Sequence, residues 1–210
     1  MDRDLEPAEV RVLGCLIEKQ RTTPDQYPLS LNALRLACNQ STNREPVVAY
    51  DEDTVRGAVQ RLGKRRYTRL ASGHSSRASK YRHLLDEELH LAAAEQALLA
   101  VLMLRGPQTP GELKQRTERM QRFADIAALQ DVLTGLIDRG FVAQLARRPG
   151  QKEERYRHRL SEDVEDSEPA AATDVVIPPP PRRDERLDRL EAEVAELREQ
   201  LAALRSELGV

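Results

Sequence analysis

Apolar residues recur at helical spacing three times early in the chain, and an alternating stretch follows each set of three. From about Ala8 to Gln20 the pattern places Val10, Leu13 and Ile17 on one face of a predicted helix. A second predicted helix follows Ser30, a residue suited to accept from the free N–H groups of a first turn. It aligns Leu31, Leu34 and Cys38. A third begins near Asp51 and keeps Val55, Val59 and Leu62 on one side. Tyr67–Ser72 and Ala78–Leu84 then alternate on either side of Gly73-His74-Ser75-Ser76, which predicts a β-hairpin.

The same order returns. Leu91–Arg105 reads as a helix stopped by Gly106 and Pro107. Thr109-Pro110-Gly111-Glu112 carries a capping box with proline at the first helical position. Asp125–Arg139 is the third helix, ended by Gly140, and Phe141–Ala146 and Glu154–Leu160 flank Arg148-Pro149-Gly150-Gln151 as a second hairpin. The hairpins end alike, in Lys80-Tyr81-Arg82-His83-Leu84 and Arg155-Tyr156-Arg157-His158-Arg159. Tyr81 and Tyr156 stand 75 residues apart, Tyr67 and Phe141 74, and such agreement in order and length argues duplication. Three helices and a hairpin describe a winged helix. The expected fold is therefore mainly α with small β wings (α+β), with tandem winged-helix domains at 1–88 and 89–160. The competing reading is a generic helical pair with unrelated hairpins.

Several stretches carry a family resemblance. Thr22-Thr23-Pro24-Asp25-Gln26-Tyr27-Pro28-Leu29-Ser30, Ala37-Cys38-Asn39-Gln40, Arg44-Glu45-Pro46-Val47, Lys80-Tyr81-Arg82 and Leu104-Arg105-Gly106-Pro107-Gln108-Thr109-Pro110-Gly111-Glu112-Leu113 resemble the bacterial YceH family. The resemblance spans most of the chain. It implies a tandem winged-helix fold and carries no assigned activity. One departure is His74 at the first hairpin tip, where relatives tend to have an aromatic.

Beyond residue 160 the composition changes. Positions 161–183 are acidic and then proline-rich, ending in Pro178–Pro181, which predicts a disordered linker. In 184–210, Leu187, Leu190, Val194, Leu197, Leu201, Leu204 and Leu208 alternate spacings of three and four, the seam of a dimeric coiled coil. In a parallel pair Arg186 would face Glu191 and Glu193 would face Arg198. Antiparallel pairing, and a lone amphipathic helix folded onto its own winged helices, are the alternatives.

Charge sharpens the division. The net charge of −2 combines +6 over residues 1–160 with −8 over 161–210. Thr54–Leu85 holds nine basic residues and no acidic one, a density that attracts polyanions. On the third helix the apolar stripe turns Arg56, Gly57, Gln60, Arg61 and Lys64 outward. Arginine and glutamine can read base edges in a major groove. Arg65, Arg69, Arg77, Lys80 and Arg82 would hold phosphates from the helix end and wing, and Arg147, Arg148 and Lys152 would do so from the second wing. Against this stand Asp51, Glu52 and Asp53 at the helix start, which suit capping and repel phosphate. A plain solvated face is the competing reading. The second repeat's third helix exposes Ala128, Asp131, Thr134 and Asp138 and points to packing or protein binding.

Catalytic chemistry is hard to place. Cys15 and Cys38 lack a CxxC partner and read as small core residues, and no two of the four histidines stand at i, i+4. No GxxxxGK[ST] loop occurs. The expectation is a non-enzyme with no catalytic residue, metal or cofactor. The longest apolar run, Ala97–Leu104, is far short of the ~20 residues of a membrane span, and the acidic start is unlike a signal peptide. No membrane association and a cytoplasmic location follow as expectations. The expected function is duplex-DNA binding in transcriptional regulation. The alternative is an adaptor whose winged helices bind a protein partner.

Overall fold

The computed structural model describes residues 5–71, 79–146 and 153–161. Both hairpin tips, with Arg77, Arg147, Arg148 and Lys152, lie outside the described residues. So do the linker from 162 onward and the heptad of 184–210.

Local chemistry accounts for the helix ends. Helix α1 (Pro7–Thr22) opens with proline, and the Glu9 carboxylate accepts from the Glu6 N–H at 2.8 Å. After the short strand β1 (Leu29–Ser30), helix α2 (Leu31–Cys38) is capped by the Ser30 hydroxyl, which accepts from Ala33 N–H at 3.2 Å. Helix α3 (Glu52–Lys64) is capped by Asp51, whose carboxylate accepts from Thr54 N–H at 2.8 Å. Strands β2 (Thr68–Leu70) and β3 (Lys80–His83) complete an antiparallel sheet in the order β1-β3-β2. Leu29 and Leu70 both pair with Tyr81.

A five-residue helix α4 (Leu85–Leu89) follows, too short to leave a periodic signal. Helix α5 (Ala93–Arg105) starts two residues later than the apolar pattern suggests. The Glu95 carboxylate accepts from Ala92 N–H at 2.7 Å, so Leu91 is buried ahead of the helix rather than within it. Helix α6 (Pro110–Thr117) has the expected capping box, and helix α7 (Ile126–Asp138) is capped by Asp125. Strands β4 (Val142–Leu145) and β5 (Arg155–His158) form a second antiparallel sheet, and Gln108 bridges to Tyr156 at its edge.

The described residues thus form an α+β chain of seven helices and two small sheets, an element order compatible with a winged helix. All fall within one compact unit, Met1–Glu165. Its core is one continuous cluster running from α1 through α5 to Leu160. The centre is the contact of α1 with α5. Val12, Leu13, Cys15, Leu16 and Ile17 are wholly buried, and so are Leu98, Leu99 and Leu102. Gly14 makes that contact possible, because a Cβ there would lie 2.9 Å from Leu104 Cγ. An amphipathic stripe was expected of α1; the helix is instead covered on most sides because α5 lies against its second face.

Burying that face encloses charge. The Arg11 guanidinium donates to Cys38 O at 3.2 Å and to Pro46 O at 2.6 Å. Arg44, only 4% exposed, donates to Ala37 O and grips both oxygens of Glu18, the shorter contact at 2.6 Å. The side chain of Asn39 exchanges two hydrogen bonds with the backbone of Tyr50. These bonds give the long polar connection between α2 and α3 its shape. Asn39 and Arg44 of this loop satisfy backbone groups, whereas Gln40 and Asn43 accept from the side chains of Arg44 and Arg105.

Candidate nucleic-acid interface

Helix α3 turns Val55, Ala58, Val59 and Leu62 into the core, which leaves Arg56, Gln60 and Lys64 exposed at successive intervals of four. Arg69 on β2 is exposed as well, on the sheet face opposite Thr68, whose hydroxyl donates to Val59 O of α3. Arg69 pairs directly with Arg82 of β3, so the two guanidiniums share one face of the sheet. Lys80 is exposed at the start of β3.

Carboxylates meet several of these cations. Arg56 pairs with Glu52 and, at 2.7 Å, with Asp53, one turn earlier on its own helix. Arg61 was expected to face solvent. It is half-buried and reaches Glu6 at 2.7 Å and Glu9 at 3.3 Å, across to the start of α1. Arg82 is bound to Glu87, and Arg66, in a left-handed backbone conformation, pairs with Glu88 at 3.1 Å. Of the three acids at the start of α3, Asp51 caps the helix and Glu52 and Asp53 hold Arg56. Among the described residues, Lys64 and Arg69 have no ion-pair partner. Arg65 is half-buried at the helix end. Exposed pairs such as Arg56–Asp53 are worth at most about 1 kcal/mol, so a phosphate competes with them at small cost.

On α7, Asp131, Thr134 and Asp138 are exposed, Ala128 is half-buried, and Ile126 is 46% exposed. Arg139 does not add positive charge to this face. It pairs with Glu95 at 2.8 Å and lies 4.9 Å over the Phe141 ring.

Cys15, Cys38 and His83 are buried, and His158 is half-buried. Cys15 and Cys38 are free and buried side by side, and their hydrogen bond together with burial pushes the Cys38 thiol up. Among the described residues no three His, Cys, Asp or Glu side chains gather as a metal site would require. His83 and His158 hold equivalent places at the ends of β3 and β5. The Nδ1 of each accepts an N–H two residues on, from Leu85 at 3.3 Å and from Leu160 at 3.4 Å. Burial pushes both imidazoles down to about 4. Sequence reasoning passed over Arg11, Arg44 and these two histidines as organising residues. The repeated Tyr-Arg-His at the hairpin ends was the available signal for the histidines.

A family profile, described as a protein of unknown function, DUF480, matches residues 5–151. The chain belongs to the DUF480 family. The match takes in α1 through β4, and so includes α3, the sheet beside it and the loop held by Arg44. Membership of DUF480 assigns no activity to any of these side chains. Among the described residues of this DUF480 member, no helix is long and apolar enough to cross a membrane.

Proposed function

We propose that this chain is a tandem winged-helix protein of the YceH type that binds duplex DNA through α3 and the first hairpin, without catalysis, in transcriptional regulation. The observation that carries the reading is the exposed stripe Arg56, Gln60 and Lys64 on α3, with a further exposed cation, Arg69, on β2. It presents base-reading and phosphate-holding side chains along one helix face. Matched hydrogen bonds support the duplication. Tyr67 N–H donates to Leu62 O and Phe141 N–H to Leu136 O. Leu84 N–H donates to Tyr67 O, and Arg159 N–H to Phe141 O. Leu29 and Gln108 each pair with the hairpin tyrosine of their own half. Self-association through the 184–210 heptad belongs to the same reading, and two free buried thiols are compatible with a reducing cytoplasm.

Electrophoretic mobility shifts against random and genomic duplexes test it. Lys64→Ala and Arg69→Ala should each lower the salt slope by about 1, whereas Gln60→Ala should chiefly blur sequence preference. No duplex binding at ~50 mM salt would remove the DNA reading. A second reading, the protein-binding adaptor, draws on the acidic partners of Arg56, Arg61 and Arg82 and on the acidic face of α7 with its exposed Ile126. That null result would favour it.

A further inference from the structure

On the side of the molecule formed by α1, the turn at residues 40–43, α5 and α6, a cleft of about 560 Å³ opens to solvent. No residue of α3 lines it. Its described lining residues include four cationic side chains, Lys19, Arg105, Arg116 and Arg119, against one carboxylate, Glu18. That carboxylate is already committed, since both its oxygens accept from the buried Arg44. Lys19 is no closer than 3.8 Å to Glu18, and Arg116 is 3.4 Å from Glu112. Among the described residues, Arg105 and Arg119 meet no carboxylate; Arg105 donates to the Asn43 side chain at the rim. Four like charges facing one volume with a single, already paired counter-charge repel one another. Partial burial, then neighbouring Arg116 and Arg44, accordingly push the Arg105 guanidinium down.

We propose that this cleft binds a small, multiply charged phosphate ester with a hydroxyl-rich, non-aromatic body. The charge argument selects an anion of more than one charge, and guanidinium forks match phosphate oxygens in pairs. The volume lies within the range of small-molecule sites. The body is selected by what else lines the walls. Among the described lining residues there is no aromatic ring for a base to stack on, whereas Thr22, Thr42 and Gln115 offer hydroxyl and amide groups. The Thr22 hydroxyl donates its proton to Glu18 O, so its lone pairs remain to accept from a ligand hydroxyl. A ligand here would bear on both halves of the molecule, since α1 and α5 both line the cleft.

Isothermal titration calorimetry of the full chain with fructose 1,6-bisphosphate, and with fructose as the uncharged control, tests the site. Saturable binding of the bisphosphate at one site per chain is expected, with no heat from fructose. Arg105→Gln and Arg119→Gln should each weaken it by about 10-fold or more, and Arg35→Gln, a cation on α2 outside the cleft, should leave it unchanged. Should Arg105→Gln fail to fold by circular dichroism, the exposed Arg119→Glu carries the comparison. The proposal is overturned by absence of bisphosphate binding up to ~5 mM, by fructose binding equally well, or by binding that the cleft substitutions leave unaltered.

Discussion

Mild acid should loosen this fold through His83. The residue is 2% exposed, and the two imidazole nitrogens are assigned by their neighbours: Nδ1 accepts from Leu85 N–H, so Nε2–H donates to Gln20 Oε1 at 2.7 Å. Protonation would put a second proton at Nδ1, opposite a donor and away from water. The Asp86 carboxylate, 3.6 Å away, offsets part of that cost, yet burial prevails and holds the group at about 4. In the unfolded chain the same imidazole titrates near its ordinary 6.5. Between those values the unfolded state takes up a proton that the folded state refuses. The contribution is therefore fully present above about 6.5, declines as the pH falls, and levels off below about 4. At pH 5 it amounts to a loss of about 2 kcal/mol relative to pH 7. Burial of His158 adds a change of the same sign. Urea unfolding of wild type and His83→Asn at pH 7 and pH 5 isolates the effect, because asparagine keeps an acceptor near Leu85 but has no proton to take up. The variant should be weaker at pH 7, through the lost Gln20 contact, and should lose about 2 kcal/mol less than wild type on going to pH 5. A proton NMR titration midpoint for His83 near its ordinary value, or equal losses in the two proteins, would refute the reasoning.

Gly14→Ala should destabilise by about 1–3 kcal/mol in urea, because its Cβ meets Leu104, although alanine in an open helix gains about 1 kcal/mol over glycine. Unchanged stability would mean that α1 and α5 do not approach as closely as this. Arg44→Met should cost about 3–5 kcal/mol by the same assay, with Glu18→Leu recovering part of it in the double variant; an additive loss would show the pair to be uncoupled. Analytical ultracentrifugation should find the full chain dimeric and a 1–165 truncation monomeric, and a full chain still monomeric at ~100 μM would remove the coiled-coil reading.

Most of the elements were legible along the chain. Ser30, Asp51, Thr109 and Asp125 cap the helices that their positions announced, and the alternation around Tyr67 and Tyr81 marked two strands that pair antiparallel. Such signals are local: a cap acts within one turn, and a strand's period within a few residues. The Arg56–Glu52 pair is equally local, since i and i+4 share a helix face in any helix, yet along the sequence the acids at the helix start read as caps alone. What only the folded chain decided depends on residues far apart in sequence. That Arg61 would turn toward Glu6 and Glu9, rather than stand free beside Gln60, follows from where α1 lies against α3. That Arg44 would enter the interior depends on Glu18 waiting there, 26 residues away. The cleft between α1, α5 and α6 has no counterpart in any one segment, because Lys19 and Arg105 come together only when α5 covers the second face of α1 at Gly14. Residue type and spacing determined which side chains could face water; packing determined which charges they would meet there.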